Sequence, residues 1–156
     1  MIVGVDIGGT KIAVAGFRQE PDGGPRRVTA VHTLSTPARE GGEAIVRAVV
    51  HAVGAIRGAE EVAAVGVGTA GVVGQDGGIT SATDAIQGWA GFPLRAALAR
   101  ALGAPVAVVN DVHAAAVAEA AAGAGRGARG LLMVTVGTGI GGAVVLPDGQ
   151  IGRAVV

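Results

Sequence analysis

Two short runs rich in β-branched residues, Ile2–Ile7 and Ile12–Phe17, are separated only by Gly8-Gly9-Thr10-Lys11. Apolar segments of that length joined through a Gly-Gly turn read as a hairpin of two buried strands. The turn holds the only lysine of the chain, Lys11, which closes the run Asp6-Ile7-Gly8-Gly9-Thr10-Lys11. The same arrangement returns downstream, where Leu131–Val136 and Ile140–Leu146 flank Gly137-Thr138-Gly139. Any fold for this chain must accommodate two such hairpins.

The sequence between them alternates. A turn at Glu20–Gly24, bounded by Pro21 and Pro25, leads to a third strand over Arg27–Leu34. Ala44, Ile45, Ala48, Val49, Ala52, Val53 and Ile56 then recur at helical spacing within Glu43–Arg57. Strands follow at Val62–Val67 and Ala104–Val109, with a helix over Phe92–Leu102 entered through Pro93. Asn110-Asp111 opens an alanine-rich helix to about Ala122. Alternating strands and helices imply an α/β fold, a mixed sheet flanked by helices. Gly123–Gly130, GAGRGARG, breaks the composition and is expected to be a hinge, dividing 1–122 from 131–156. After it, PDGQ at 147–150 turns into a last strand, Ile151–Val156.

Composition narrows the function. The 156 residues are 50% hydrophobic and 15% charged, enough for one substantial core. Twelve basic residues balance twelve acidic ones, and the arginines form no run. No footprint for nucleic acid or an anionic membrane results. The absence of cysteine excludes disulfides, thiolate metal ligands and cysteine nucleophiles. No leader and no stretch long enough to span a membrane is read, so a cytoplasmic protein is expected.

Two stretches fit the dinucleotide pattern G-x-G-x-x-G, at 66–71 and 137–142. That pattern needs a helix after its last glycine, with its N-terminus on a pyrophosphate. VVGQDGG and AVVLPDG follow instead, so both are rejected as Rossmann fingerprints. No G-x-x-x-x-G-K-[ST] occurs either. What remains is a pair of glycine hairpins, Asp6–Lys11 and Val136–Gly142, read either as plain tight turns or as backbone cradles for a phosphate chain. Asp111 likewise reads as a helix N-cap or as a catalytic carboxylate.

DIGGTK at 6–11, GVGTAGVV at 66–73, GWAGFPL at 88–94, VVNDVHAAAVAEA at 108–120 with GAGRG at 123–127, and TVGTGIGGA at 135–143 resemble, in order, the ROK family of bacterial sugar kinases and repressors. The resemblance implies the ribonuclease-H-like fold of the actin, Hsp70 and hexokinase superfamily, in which two α/β domains clamp ATP and substrate. It implies ATP-dependent phosphoryl transfer to a hexose hydroxyl, glucokinase-like, with Mg²⁺ bridging phosphate oxygens. Asp6 would lie beside the Mg²⁺–ATP phosphates, with Gly8, Gly9, Thr10 and Lys11 lining the first phosphate loop and Gly137, Thr138 and Gly139 the second. Asp111 would be the general base, and Gly71 and Asn110 would contact other sugar hydroxyls. Trp89 is expected to anchor a loop, and Asp84 stands where family members often carry asparagine. His113 and Glu119 are expected to be surface or support residues.

Family kinases continue with a Gly-Glu-x-Gly-His segment, a cysteine-rich zinc motif and an adenosine-binding stretch, none of which occurs in these residues. A truncated chain is therefore expected, lacking the family's zinc site, part of the sugar pocket and much of the second domain. Its last strands would expose an apolar face and favour a homo-oligomer. Two other functions fit the resemblance: the sugar-sensing part of a ROK repressor, and a non-catalytic fragment. The intact DIGGTK, and a first strand that begins at Ile2 with no preceding helix-turn-helix, favour the kinase.

Overall fold

A computed structural model describes residues 1–21, 24–136 and 140–154. In chain order the elements are β1 (Ile2–Ile7), β2 (Lys11–Gln19), β3 (Pro25–Arg27), β4 (His32–Ser35), α1 (Gly42–Arg57), β5 (Ala64–Thr69), β6 (Val72–Val73), β7 (Ile79–Ser81), α2 (Leu94–Leu102), β8 (Val106–Asn110), α3 (Asp111–Ala122), β9 (Leu131–Val136), β10 (Ile140–Val145) and β11 (Ile151–Ala154). They divide into two compact units, Met1–Asn110 and Asp111–Val156.

The first unit is a mixed sheet of order β3-β2-β1-β5-β8, with β4 also paired to β2. The expected hairpin is present: β1 and β2 are antiparallel from Ile2↔Phe17 to Ile7↔Ile12. β1, β5 and β8 run parallel, in register as Asp6↔Gly68↔Val109 and Ile7↔Thr69↔Asn110. Alternation along β1 buries Val3, Val5 and Ile7 and leaves Asp6 exposed on the other face. The buried set joins Ile12, Val14, Val65 and Val67 with Ile45, Val49 and Val53 of α1 and Leu94 and Leu98 of α2.

Helix α1 starts at Gly41-Gly42 with no side-chain cap, a deficit of roughly a few tenths of a kcal/mol for a glycine cap. Complete burial of Ile45, Val49 and Val53, at about 1.5–3 kcal/mol each, outweighs it. Gly42 has its own reason: a Cβ there would collide with the Phe92 ring. That ring stacks on Trp89, with centroids 5.6 Å apart.

The single third strand expected over Arg27–Leu34 is two strands, β3 and β4, on different stretches of β2. The break has a local cause. The Gly16 N–H donates to Thr29 Oγ1 at 2.8 Å, and the Val28 N–H donates to the Gly16 carbonyl at 2.8 Å. A side chain thus takes a ladder position and the strand cannot run through it. The ribbon β6–β7 had no counterpart in the sequence reading. Its tight turn is closed by the Gly74 N–H on the Gly78 carbonyl, with Gly77 at φ 75°.

In the second unit α3 lies on the sheet β11-β10-β9. Its core is small: Ala116, Ala143 and Val145, with Val112, Ala120, Leu131 and Met133 around them. The glycine-rich segment 123–130, expected as the hinge, falls inside this unit. Glu119 holds its start, accepting the Ala124 N–H on Oε2 at 2.8 Å and the Gly125 N–H on its carbonyl at 3.0 Å. On the strand facing away from that core, Leu132, Val134 and Val136 are 65%, 54% and 81% exposed. Among the described residues no helix is long and apolar enough to cross a membrane.

Candidate functional site at the carboxyl ends of the parallel strands

In open α/β sheets, ligands collect outside the carboxyl ends of parallel strands, because loops leaving those ends can diverge and expose backbone groups. The sequence-selected residues of the first unit all sit there. Asp6 is next to last in β1, and the Gly8–Lys11 turn follows it. Gly71 lies two residues past the end of β5, and Asn110 ends β8.

The turn after β1 is held from inside and outside. The Gly8 N–H donates to the Lys11 carbonyl at 2.9 Å. Thr36, just beyond β4, donates its hydroxyl to the Gly8 carbonyl at 2.6 Å and its N–H to the Thr10 carbonyl at 3.0 Å. Among the described residues the N–H groups of Gly9 and Thr10 make no backbone hydrogen bond. Thr10 and Lys11 are exposed. A Cβ at Gly9 would come within 3.2 Å of the Ala85 methyl, so the loop carrying Asp84 borders this turn.

The turn after β5 is pinned by three donors. The Ala70 N–H reaches back to the Ile7 carbonyl at 3.3 Å. The Trp89 indole N–H donates to the Ala70 carbonyl at 3.2 Å, and Asn110 Nδ2 donates to the Gly71 carbonyl at 3.0 Å. Gly71 is at φ 99°, a region unfavourable to side chains, and a Cβ there would meet the Ser81 carbonyl oxygen at 2.8 Å. Thr69, fully buried, spends its hydroxyl on the Ile7 and Ala70 carbonyls at 3.4 Å. Trp89 is thus a loop anchor with its ring buried, as the sequence suggested.

Asp111 is the first residue of α3 and is half-buried; its Oδ1 accepts the Val112 N–H at 2.9 Å. Gly137, Thr138 and Gly139, the expected second phosphate loop, lie outside the described residues. Among the described residues no three His, Asp or Glu side chains gather in a metal-binding group. A cavity of about 300 Å³ in the second unit, lined by Val117, Ala121, Leu131, Val145, Leu146 and Pro147 among others, includes none of the candidate site residues. The sequence reading missed Thr36. Its contacts cross from 36 to 8, and no spacing rule points to them.

The chain is 37% identical over 146 residues to a glucokinase of Streptomyces coelicolor, covering 94% of the chain and 44% of that protein. It superimposes on a ROK family glucokinase from Streptomyces griseus, solved with glucose and AMPPNP, with a TM-score of 0.81 and 35% identity, over 98% of the chain and 48% of that structure. A ROK hexokinase from Thermus thermophilus gives a TM-score of 0.81 and 38% identity, over 98% and 49%. The chain therefore spans about half the length of these relatives. The ROK family model matches residues 2–153, and the chain belongs to the ROK family, with the mixed-sheet fold of its sugar kinases.

Proposed function

We propose that this chain carries the phosphate-gripping and hydroxyl-activating portion of an ATP-dependent hexose kinase, with glucose as the first candidate substrate. The observation that carries the reading is the pairing of two loops on neighbouring parallel strands. One offers N–H groups that make no backbone hydrogen bond among the described residues, and a lysine; the other presents a glycine loop fixed by Asn110. The relatives named as glucokinases and the complex with glucose and AMPPNP support the choice of sugar and nucleotide.

The residues present suit Mg²⁺–ATP. Magnesium commonly uses one or two carboxylates plus phosphate oxygens, so an exposed Asp6 suffices without a larger cluster. Bound there, Mg²⁺ would supply charge neutralisation at the phosphates. Gly9, Thr10 and Lys11 hold phosphate oxygens through N–H groups and the ammonium, Gly8 shapes the turn with its own N–H on the Lys11 carbonyl, and Gly137, Thr138 and Gly139 are assigned to the second phosphate contact. Gly71 and Asn110 orient the sugar. Asp111 accepts the proton of the attacking hydroxyl as its oxygen bonds to the γ-phosphorus and the bond to the β-phosphate oxygen breaks, releasing ADP. Use of ATP fits a cytoplasmic setting.

The test is coupled detection of ADP release with Mg²⁺–ATP and a panel of hexoses, on the chain and on Asp111→Ala. Turnover with one hexose that drops by at least about 10²-fold in Asp111→Ala is the expected result. Turnover unaffected by the substitution removes Asp111 from the chemistry. Hexose binding without turnover leaves a sugar-binding fragment or a repressor-like sensor.

A further inference from the structure

Thr36 is half-buried, lies outside every glycine motif, and engages two carbonyls of one turn at once. A trans peptide group is planar, with its C=O and the following N–H pointing in opposite directions. Drawing the Gly8 carbonyl onto the Thr36 hydroxyl therefore turns the Gly9 N–H away from Thr36. Drawing the Thr10 carbonyl onto the Thr36 N–H does the same for the N–H of Lys11.

This matters because Gly8-Gly9 is the most adaptable kind of peptide link. Neither glycine is at positive φ here, yet both could go there at little steric cost, and the Gly8–Gly9 plane could then flip. The flip would present a carbonyl oxygen where a donor stood. Backbone donors for an anion are effective when they are fixed before it arrives.

We infer that Thr36 is a positioning residue for phosphate recognition, its hydroxyl and N–H orienting two peptide planes so that the Gly9 and Lys11 N–H groups face the polyphosphate of the phosphoryl donor. The inference rests on the kinase reading above and names the residue that keeps its first phosphate loop in one conformation. Thr36 touches neither substrate itself.

Thr36→Val keeps the volume and the backbone donor and removes only the hydroxyl; Thr36→Ala is a second hydroxyl-free variant, and Thr36→Ser restores the donor. The measurements are Mg²⁺–AMPPNP and glucose affinities by calorimetry, the melting midpoint, and the Gly9 amide resonance and its hydrogen exchange. Nucleotide affinity is expected to fall about tenfold without the hydroxyl and to stay within about twofold of the original in Thr36→Ser. Glucose affinity holds in all three, and the Gly9 amide moves only where the hydroxyl is missing. Unchanged nucleotide affinity in a folded hydroxyl-free variant overturns the inference, as does Thr36→Ser binding as weakly as Thr36→Val. If the unsubstituted chain binds no Mg²⁺–AMPPNP, the kinase reading fails separately. The Gly9 amide then decides: a change confined to the hydroxyl-free variants upholds the positioning role, and no change overturns it.

Discussion

The indole N–H of Trp89 donates to the carbonyl of Ala70 at 3.2 Å, from a side chain that is almost wholly buried. Ala70 precedes Gly71, whose own carbonyl is held by Asn110. The two donors stop the turn after β5 from rotating about either peptide, and Trp89 also carries the stacked Phe92 that covers Gly42.

Trp89→Phe separates these duties, because it keeps an aromatic ring and loses the donor. Loss of one net hydrogen bond, about 1 kcal/mol, together with the smaller ring, should lower stability by about 1–3 kcal/mol. Chemical denaturation reads that change. Trp89→Ala should cost about 3–5 kcal/mol. Should Trp89→Phe match Trp89→Ala, the indole N–H anchor and not the ring volume carries the effect.

The opening hairpin was legible because its apolar runs and glycines lie within one short window. The positions of Asp6, Gly71 and Asn110 at strand ends followed from the same patterns, each motif closing an apolar run. Other features depend on partners far along the chain. The Thr29 hydroxyl breaks the strand expected at Arg27–Leu34 by capturing the N–H of Gly16. Strands as short as Val72–Val73 and Ile79–Ser81 have too few residues to show a period. Helix α3, DVHAAAVAEAAA, is nearly uniform in alanine, so no apolar stripe indicates which sheet it covers; its packing on β10 and β9 is what groups it with the second unit.

Glu60 gathers two cations at the edge of the first unit. Its Oε2 accepts from Arg18 Nη2 at 2.9 Å, and its Oε1 lies 3.1 Å from the Met1 ammonium, which also donates to the Glu61 carbonyl at 2.7 Å. The Arg18 hydrogen bond, then that from the N-terminal ammonium, hold the Glu60 carboxyl below its usual range. A carboxylate with a lowered pKa in the folded state adds stability above its unfolded pKa and loses it as pH falls through the folded value. Glu60→Gln should therefore melt slightly below the original protein at neutral pH. The gap should close as pH falls from the ordinary glutamate range to below the folded pKa, and added salt should shrink it too. Melting scans across pH 2–8 check this; a gap that persists at the acid end would falsify the electrostatic account.

On β9, Leu132, Val134 and Val136 form an exposed apolar row, and β9 ends its sheet with no charged residue along its length. Edges of that kind tend to pair with another chain. Three side chains from each of two copies, at up to about 1.5–3 kcal/mol apiece, stand against an association cost of about 4–15 kcal/mol. With the six side chains near the upper value and the cost near the lower one, the net exceeds the about 8 kcal/mol that micromolar self-association requires. Analytical ultracentrifugation should find species heavier than the 15.0 kDa chain. The double substitution Leu132→Lys with Val134→Lys should return it to monomer, because each dimer would then have to desolvate four ammonium groups. Circular dichroism should be unchanged, since neither side chain belongs to the Ala116–Ala143–Val145 core. A compact monomer of the unsubstituted chain at the same concentration would show that the exposed row does not drive association.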